Sequence, residues 1–268
     1  MIKIGLVGCG NIGAQLAVHI QKKLRTQATL VSIWDNDSQT AQKLQTVLRK
    51  KIISVSIAQL VSQSDLIIEA ASADAVQQLL PLVIKKKKQL MVLSSGGLLR
   101  NPARLAQAIR ARTPIFLPSG ALAGLDGIKS ARVGKIRSVT LTTRKPPLSF
   151  SGAPGVQNKK LRLESIRKPT VIFDGNALKA ARLFPQNINV AATLALAGVG
   201  AARTRVRIIA DPGIKNNSHT IESVGDFGIL ISRTENRPSV RNRKTSQLAV
   251  YSAIATLEQI LNPLQVGS

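Results

Sequence analysis

The first half of the chain alternates between short, almost unbroken apolar runs and longer stretches whose apolar positions recur at helical spacing. The runs "KIGLVGCG", "ATLVSIWD", "DLIIEAAS", "QLMVLSSG" and "PIFLPSG" predict buried strands. Between them "GAQLAVHIQKKL", "SQTAQKLQTVLRK", "DAVQQLLPLVIKK" and "NPARLAQAIRAR" predict helices. Strands apolar on both faces, alternating with amphipathic helices, predict a parallel sheet covered by helices on both sides.

Past Gly124 the pattern changes. "SVTLTTRK" and "FGILISRT" show strand-like alternation and flank an apolar, Ala-rich stretch from Asn189 to Ala202, which predicts a second, mixed α+β domain with its own sheet. "SFSGAPGVQNKK" reads as a loop, and "TSQLAVYSAIATLEQIL", opened by Thr245 or Ser246 as a cap, reads as a final helix. The expected fold class is therefore α/β, with a dinucleotide-binding type of domain over residues 1–124 and a second domain over residues 125–244. The terminal helix, in residues 245–268, is expected to pack back on the first domain.

With 268 residues, 44% of them hydrophobic, the chain can bury a core in two modest domains. Its longest apolar run, "VAATLALAGVGAA" from Val190, is shorter than the roughly 20 residues that span a bilayer, so no membrane span is expected. Met1 leads straight into "IKIGLVGCGNIG" with no secretory pattern, and a single cysteine cannot form a disulfide within the chain. A cytoplasmic location is the expectation.

Charge adds a question. There are 38 basic and 13 acidic residues, a net charge of +25, spread over both halves. The one dense run, Lys85 to Lys88, reads as a solvated helix end, where cations complement the helix dipole. Aromatic residues are only 3% of the chain and do not interleave with the basic ones as a base-stacking platform requires. Binding to nucleic acid or an acidic surface is thus a possible second role and not the expected main one.

Chemistry enters with Gly8, Gly10 and Gly13, which form G-x-G-x-x-G at the junction of the first strand and first helix. The first glycine permits a tight turn, the second lets a pyrophosphate approach the backbone, and the third lets helix and strand pack closely. With Asn11 and Ile12 between them, these residues are the candidate phosphate site, on helix N–H groups. Asp35 follows the second strand, where a carboxylate can accept hydrogen bonds from the adenosine ribose and repel a 2′-phosphate. NAD is the expected cofactor, with NADP possible. Cys9 reads as a small packed side chain, and His19 as a packed or surface residue of the first helix.

A nicotinamide enzyme also needs a proton carrier and fixed donors for its substrate's charges. His219, in "NNSHTIESVGDFG", is the only histidine of the second half. Its ordinary pKa near 6.5 suits proton transfer, although by residue type alone a surface histidine in an Asn-rich turn is the commoner case. Asn217 beside it, and Arg144, Lys145 and Lys244, are candidates for holding substrate, each also readable as a solvated polar group. One cysteine and two distant histidines offer no metal cluster, so no metal is expected.

The motifs "GLVGCGNIG", "LIIEAAS", "PSGALAGLDGIKSA", "TTRKPP", "LFPQNINVAATLALAG", "ADP", "ENRPS" and "KTSQLAVYSAIATL" together resemble the L-aspartate dehydrogenase family over nearly the whole chain. The resemblance implies NAD(P)-dependent oxidative deamination of L-aspartate to iminosuccinate, then oxaloacetate and ammonia, in a homodimer, with a link to NAD biosynthesis. It implies that His219 is the catalytic histidine and that the Ala123 backbone amide and Asn189 contact the nicotinamide cofactor. The family's "NPKTS" is "NRKTS" here, with Arg243 in place of proline, which relaxes the backbone before the last helix. Two other readings stand beside this one: a related amino-acid or imine dehydrogenase, and a non-catalytic basic protein that binds nucleic acid.

Overall fold

The structure is a computed structural model that describes residues 1–49, 52–185, 188–240 and 242–267, with the backbone alone for Ile53, Ser54, Arg243 and Lys244. It divides into two compact units, residues 1–118 with 250–265, and residues 119–249 with 266–268. Residues 119–124 thus group with the second unit.

The first unit runs β1 (Ile2–Val7), α1 (Asn11–Lys23), β2 (Ala28–Trp34), α2 (Ser38–Leu48), β3 (Ile53–Ser54), α3 (Ile57–Gln63), β4 (Leu66–Glu69), α4 (Ala73–Lys86), β5 (Gln89–Val92), α5 (Gly96–Arg100), α6 (Pro102–Arg110) and β6 (Ile115–Phe116). All six strands are parallel, in the order β3-β2-β1-β4-β5-β6. This is the Rossmann order, with the chain reversing direction of travel between β1 and β4. Ile4, Leu6, Ile33, Leu66 and Ile68 are fully buried, which accounts for the unbroken apolar runs of these strands.

Local signals set the helix ends. Asp37 caps α2 by accepting from Gln39 N at 3.0 Å, and Ser72 caps α4 by accepting from Ala75 N at 3.2 Å. Ser56 and Gln59 form a reciprocal capping box that starts α3, a helix absent from the sequence expectation. The Lys85 to Lys88 run is the end of α4, with Lys87 in the left-handed conformation that terminates it.

The second unit runs α7 (Leu125–Ala131), β7 (Ile136–Lys145), α8 (Pro154–Gln157), β8 (Thr170–Asn176), α9 (Ala177–Leu183), α10 (Asn189–Ala197), β9 (Thr204–Ala210), β10 (Asn217–Gly225), β11 (Gly228–Asn236), β12 (Pro238–Ser239) and β13 (Asn242–Ser246). Its main sheet has the order β11-β10-β7-β9-β8, with β7 and β9 parallel and the other neighbours antiparallel. One face carries Val139, Leu141, Thr143, Val206, Ile208, His219 and Ile221, all buried. Ala180 and Phe184 of the α9 region and Ile188 and Ala191 of the α10 region line a small cavity against that face with Leu141, Thr143, Val206 and Ile208. The other face is open, with Ile229 and Ile231 of β11 at 72% and 67% exposure.

The last helix, α11 (Gln247–Leu261), begins in the second unit and continues into the first. There Ala253 and Leu257 join a core with Leu16, Ala17, Ile20 and Leu24, and His19 Nε2 meets Glu258 Oε1 at 2.7 Å. Two expectations change. "SFSGAPGVQNKK" contains a 3-10 turn ending at Phe150 and the short helix α8 rather than a plain loop. His219 lies in the strand β10 and not in an Asn-rich turn. Strand β10 carries polar residues on both faces, so its period-two signal is invisible in a hydrophobic pattern.

Candidate active site

In the first unit, the turn from β1 into α1 is built around glycines. Gly8 has φ +97°, and a Cβ there would lie 2.5 Å from the Ala70 backbone. A Cβ on Gly13 would lie 1.9 Å from Gly8 O, so only glycine lets α1 pack on this turn. Gly10 faces open space and precedes α1, whose first turn has no side-chain cap. Gly8, Gly10, Trp34, Asp35, Ala70 and Ser72 line a cleft of about 330 Å³. Helix N–H groups, an approachable backbone and a carboxylate at the cleft suit an adenosine dinucleotide.

Asp35 does more than wait for a ribose. Its Oδ2 accepts from Cys9 N at 2.7 Å and its Oδ1 from Asp37 N at 2.9 Å, which fixes the carboxylate beside the glycine turn. The cap of α2 is Asp37, and Asp35 shapes the turn that leads into it. Burial and the Asp35 charge push the Cys9 thiol up to about 12, leaving it protonated and inert.

Glu69, at the end of β4, is fully buried and had no place in the sequence expectation. Its Oε1 accepts from Ala71 N at 2.8 Å and from Ser94 Oγ at 2.9 Å, and its Oε2 accepts from Ser94 N at 2.9 Å. Burial pushes the carboxyl above the usual range, while these donors pull it back. The residue ties the loop after β4, which lines the cleft, to the loop after β5. The signal that could have found it is the lone carboxylate ending the apolar strand "LIIE".

In the second unit, strand parity decides which residues meet. His219 on β10 is directly opposite Thr143 on β7 and Thr234 on β11. His219 is 4% exposed, and its Nδ1 is 3.0 Å from Thr143 Oγ1. Thr234 Oγ1 and Asn236 Nδ2 donate to Ala121 O at 2.8 and 3.2 Å, pinning the loop that carries exposed Ala123 to this end of the sheet. Asn236 Oδ1 in turn accepts from Ser246 Oγ at 2.9 Å. Ile188 and Ala191 flank Asn189 at the start of α10 and line the cavity that reaches Thr143.

Lys145 is two residues beyond Thr143 on β7 and so shares its face. Asn217 is likewise two residues before His219 on β10. Burial lowers the Lys145 amine from its ordinary value to about 8. Burial first, and then the Lys145 charge, lower His219 to about 3. The sequence expectation of a histidine titrating near neutrality is therefore corrected: at pH 7 the imidazole is neutral.

Arg144 belongs elsewhere. It pairs with Ser218, on the opposite face from His219, and its Nη2 binds Asp211 Oδ2 at 2.5 Å. It is not gathered with His219 on the buried face. The Lys244 side chain lies outside the described residues, and its backbone belongs to β13. Among the described residues, no group of three or more His, Cys, Asp or Glu is placed to hold a metal, and no helix is long and apolar enough to cross a membrane.

A Rossmann sheet with a glycine-turn cleft, followed by an α+β unit that buries a histidine on its sheet, defines a two-unit oxidoreductase of the nicotinamide-dependent class. Residues 126–260 match the family described as "Aspartate dehydrogenase, C-terminal", and residues 8–117 match "Homoserine dehydrogenase, NAD binding domain". The chain is 44% identical to an L-aspartate dehydrogenase of Methanosarcina barkeri and 40% identical to one of Nitrosopumilus maritimus, covering 100% of both partners in each case. A crystal structure of aspartate dehydrogenase from Thermotoga maritima matches all of both chains with a TM-score of 0.75 at 25% identity. The chain belongs to the L-aspartate dehydrogenase family.

Proposed function

We propose that the chain catalyses the NAD(P)-dependent oxidation of L-aspartate to iminosuccinate, which water converts to oxaloacetate and ammonia. The observation that carries this reading is the buried His219, held through Nδ1 by Thr143 on a sheet face it shares with Lys145, in a chain of this family. The dinucleotide would be held by Gly8, Gly10, Asn11, Ile12 and Gly13, with Asp35 on the adenosine ribose favouring NAD over NADP. Ala123 and Asn189 would meet its nicotinamide end. Bound there, the nicotinamide supplies the hydride acceptor.

The chain's own residues supply the rest. With Nδ1 tied to the Thr143 hydroxyl, His219 keeps Nε2 for the substrate or for the water that attacks the imine carbon. Because the imidazole is neutral at pH 7, it can orient that water or the substrate by hydrogen bonding, and it is not a standing acid. Asn217 would hold substrate by hydrogen bonding, and Lys145 and Lys244 remain the cations of the proposal.

A homodimer formed through the open face of the five-stranded sheet fits the exposed Ile229 and Ile231 there. We expect a cytoplasmic enzyme. The test is direct: NADH formed from L-aspartate, or consumed with oxaloacetate and ammonia, followed by absorbance. Full activity in His219→Ala overturns the histidine's role, and no turnover by the unaltered chain overturns the reading.

A further inference from the structure

Two ionisable groups share the inner face of the second unit's sheet near the end of β7, and burial drives them apart. His219 is held far below neutrality, whereas the Lys145 amine titrates at about 8. When neighbouring groups diverge in this way, the one that titrates near the working pH is the one suited to exchange protons. Among the described residues, two ion pairs at this end are engaged away from the inner face. Arg144 and Asp211 pair with each other, Arg144 on the opposite face, and Glu235 of β11 stands opposite Ser218 on that same face, where Arg233 binds it at 2.5 Å.

The reaction needs such a group. Hydride can leave Cα only when the substrate nitrogen has a lone pair to form the C=N bond, so the α-ammonium must first lose a proton. We propose that the Lys145 amine, on the face it shares with Thr143 and His219, is the catalytic base that takes this proton. The substrate N–H bond breaks, an Nζ–H bond forms, and the freed nitrogen pair becomes the C=N bond as hydride departs to the nicotinamide. In the reverse direction the Lys145 ammonium returns the proton to the new amine. His219 then stays a neutral partner for water or substrate. This assignment rests on the aspartate dehydrogenase reading above, and it differs from an anchoring role for Lys145, in which the amine stays charged on a carboxylate.

The test compares the unaltered chain with Lys145→Arg and Lys145→Met, using L-aspartate and NAD. Arginine keeps the charge and cannot act as a base, because its pKa exceeds about 12. A base role predicts that both variants lose kcat by about 10²- to 10⁴-fold. It also predicts that Lys145→Ala regains turnover with added methylamine in proportion to the free base. An anchoring role predicts that Lys145→Arg keeps kcat within about threefold while Lys145→Met chiefly raises KM, and that result overturns the proposal.

An activity-independent measurement guards against a variant that fails to fold. In protein labelled with 13C at the lysine ε carbon, the resonance missing from Lys145→Arg should titrate near pH 8 in the unaltered chain. Titration together with the other lysines, near pH 10 and above, overturns the proposal. If the unaltered chain does not turn over L-aspartate, the functional reading fails, and the catalytic step fails with it. If it does turn over L-aspartate and Lys145→Arg is fully active, only the Lys145 assignment fails.

Discussion

Replacing Glu69 by glutamine tests whether a buried carboxylate builds the cofactor cleft. The two Glu69 oxygens each accept a backbone N–H, Ala71 N on Oε1 and Ser94 N on Oε2. A glutamine amide presents one oxygen and one NH2, and the nitrogen has no lone pair to accept with. In one orientation Ala71 N–H loses its partner, and in the other Ser94 N–H does. The Ser94 hydroxyl can turn to accept from the NH2, but a backbone N–H cannot reverse. Glu69 is fully buried, so no water replaces the lost acceptor cheaply, and the cost is about 1–3 kcal/mol.

Two readouts follow from that figure. Guanidinium unfolding should show Glu69→Gln less stable by that amount, with Glu69→Ala worse because both N–H groups are orphaned and a cavity is added. Ala70, Ala71 and Ser72 line the cleft, so part of the strain should also appear as weaker dinucleotide binding, up to about tenfold for each 1.4 kcal/mol that the loop transmits. Calorimetric titration with NAD reads this directly. Glu69→Gln with stability within about 0.5 kcal/mol of the unaltered chain and unchanged NAD affinity refutes the reasoning.

Other outcomes are equally specific. Gly10→Ala should fold normally, because a Cβ there meets nothing within 4 Å, yet bind NAD more weakly because it stands in the pyrophosphate's path; Gly13→Ala should damage the fold itself, as thermal melting will show. His219 has a folded pKa of about 3 against about 6.5 when exposed, so it contributes stability above pH 6.5 that is lost as the pH falls toward 3, at roughly 1.4 kcal/mol per unit. His219→Gln should flatten that part of the stability curve, and parallel curves for the two proteins exclude the neutral, buried imidazole. Ile231→Lys, on the open sheet face, should shift the mass seen by light scattering from dimer to monomer.

The first unit was legible because its residues obey local rules. Strands largely buried on both faces must be mostly apolar, and Gly8 and Gly13 occupy positions that no Cβ can enter, so β1, β2, β4 and β5 and the turn at Gly8 appear in the sequence as plainly as in the fold. The weaker signals were β3, only two residues long, and the short helix α3, whose capping box was there to be read. In the second unit β9 carries clear alternation in "TRVRIIA", with Arg205 and Arg207 outward and Val206 and Ile208 inward, whereas β10 has His219 and Ser223 buried among polar neighbours and leaves no such trace.

The candidate site was harder for a reason of geometry. The sequence offers Arg144 and Lys145 as equal candidates for holding substrate, but neighbours on a strand point to opposite faces. The difference of one position sends Arg144 to buried Asp211 and leaves Lys145 with Thr143 and His219. The same geometry explains why residue type misjudged His219. Its ordinary pKa suggested the proton carrier, yet burial holds the imidazole neutral at pH 7 and brings the Lys145 amine down to about 8, which is why the base proposed above is the lysine. Chemistry at this site is therefore set by pairing register and burial, properties of the whole five-stranded sheet that no short motif around His219 contains.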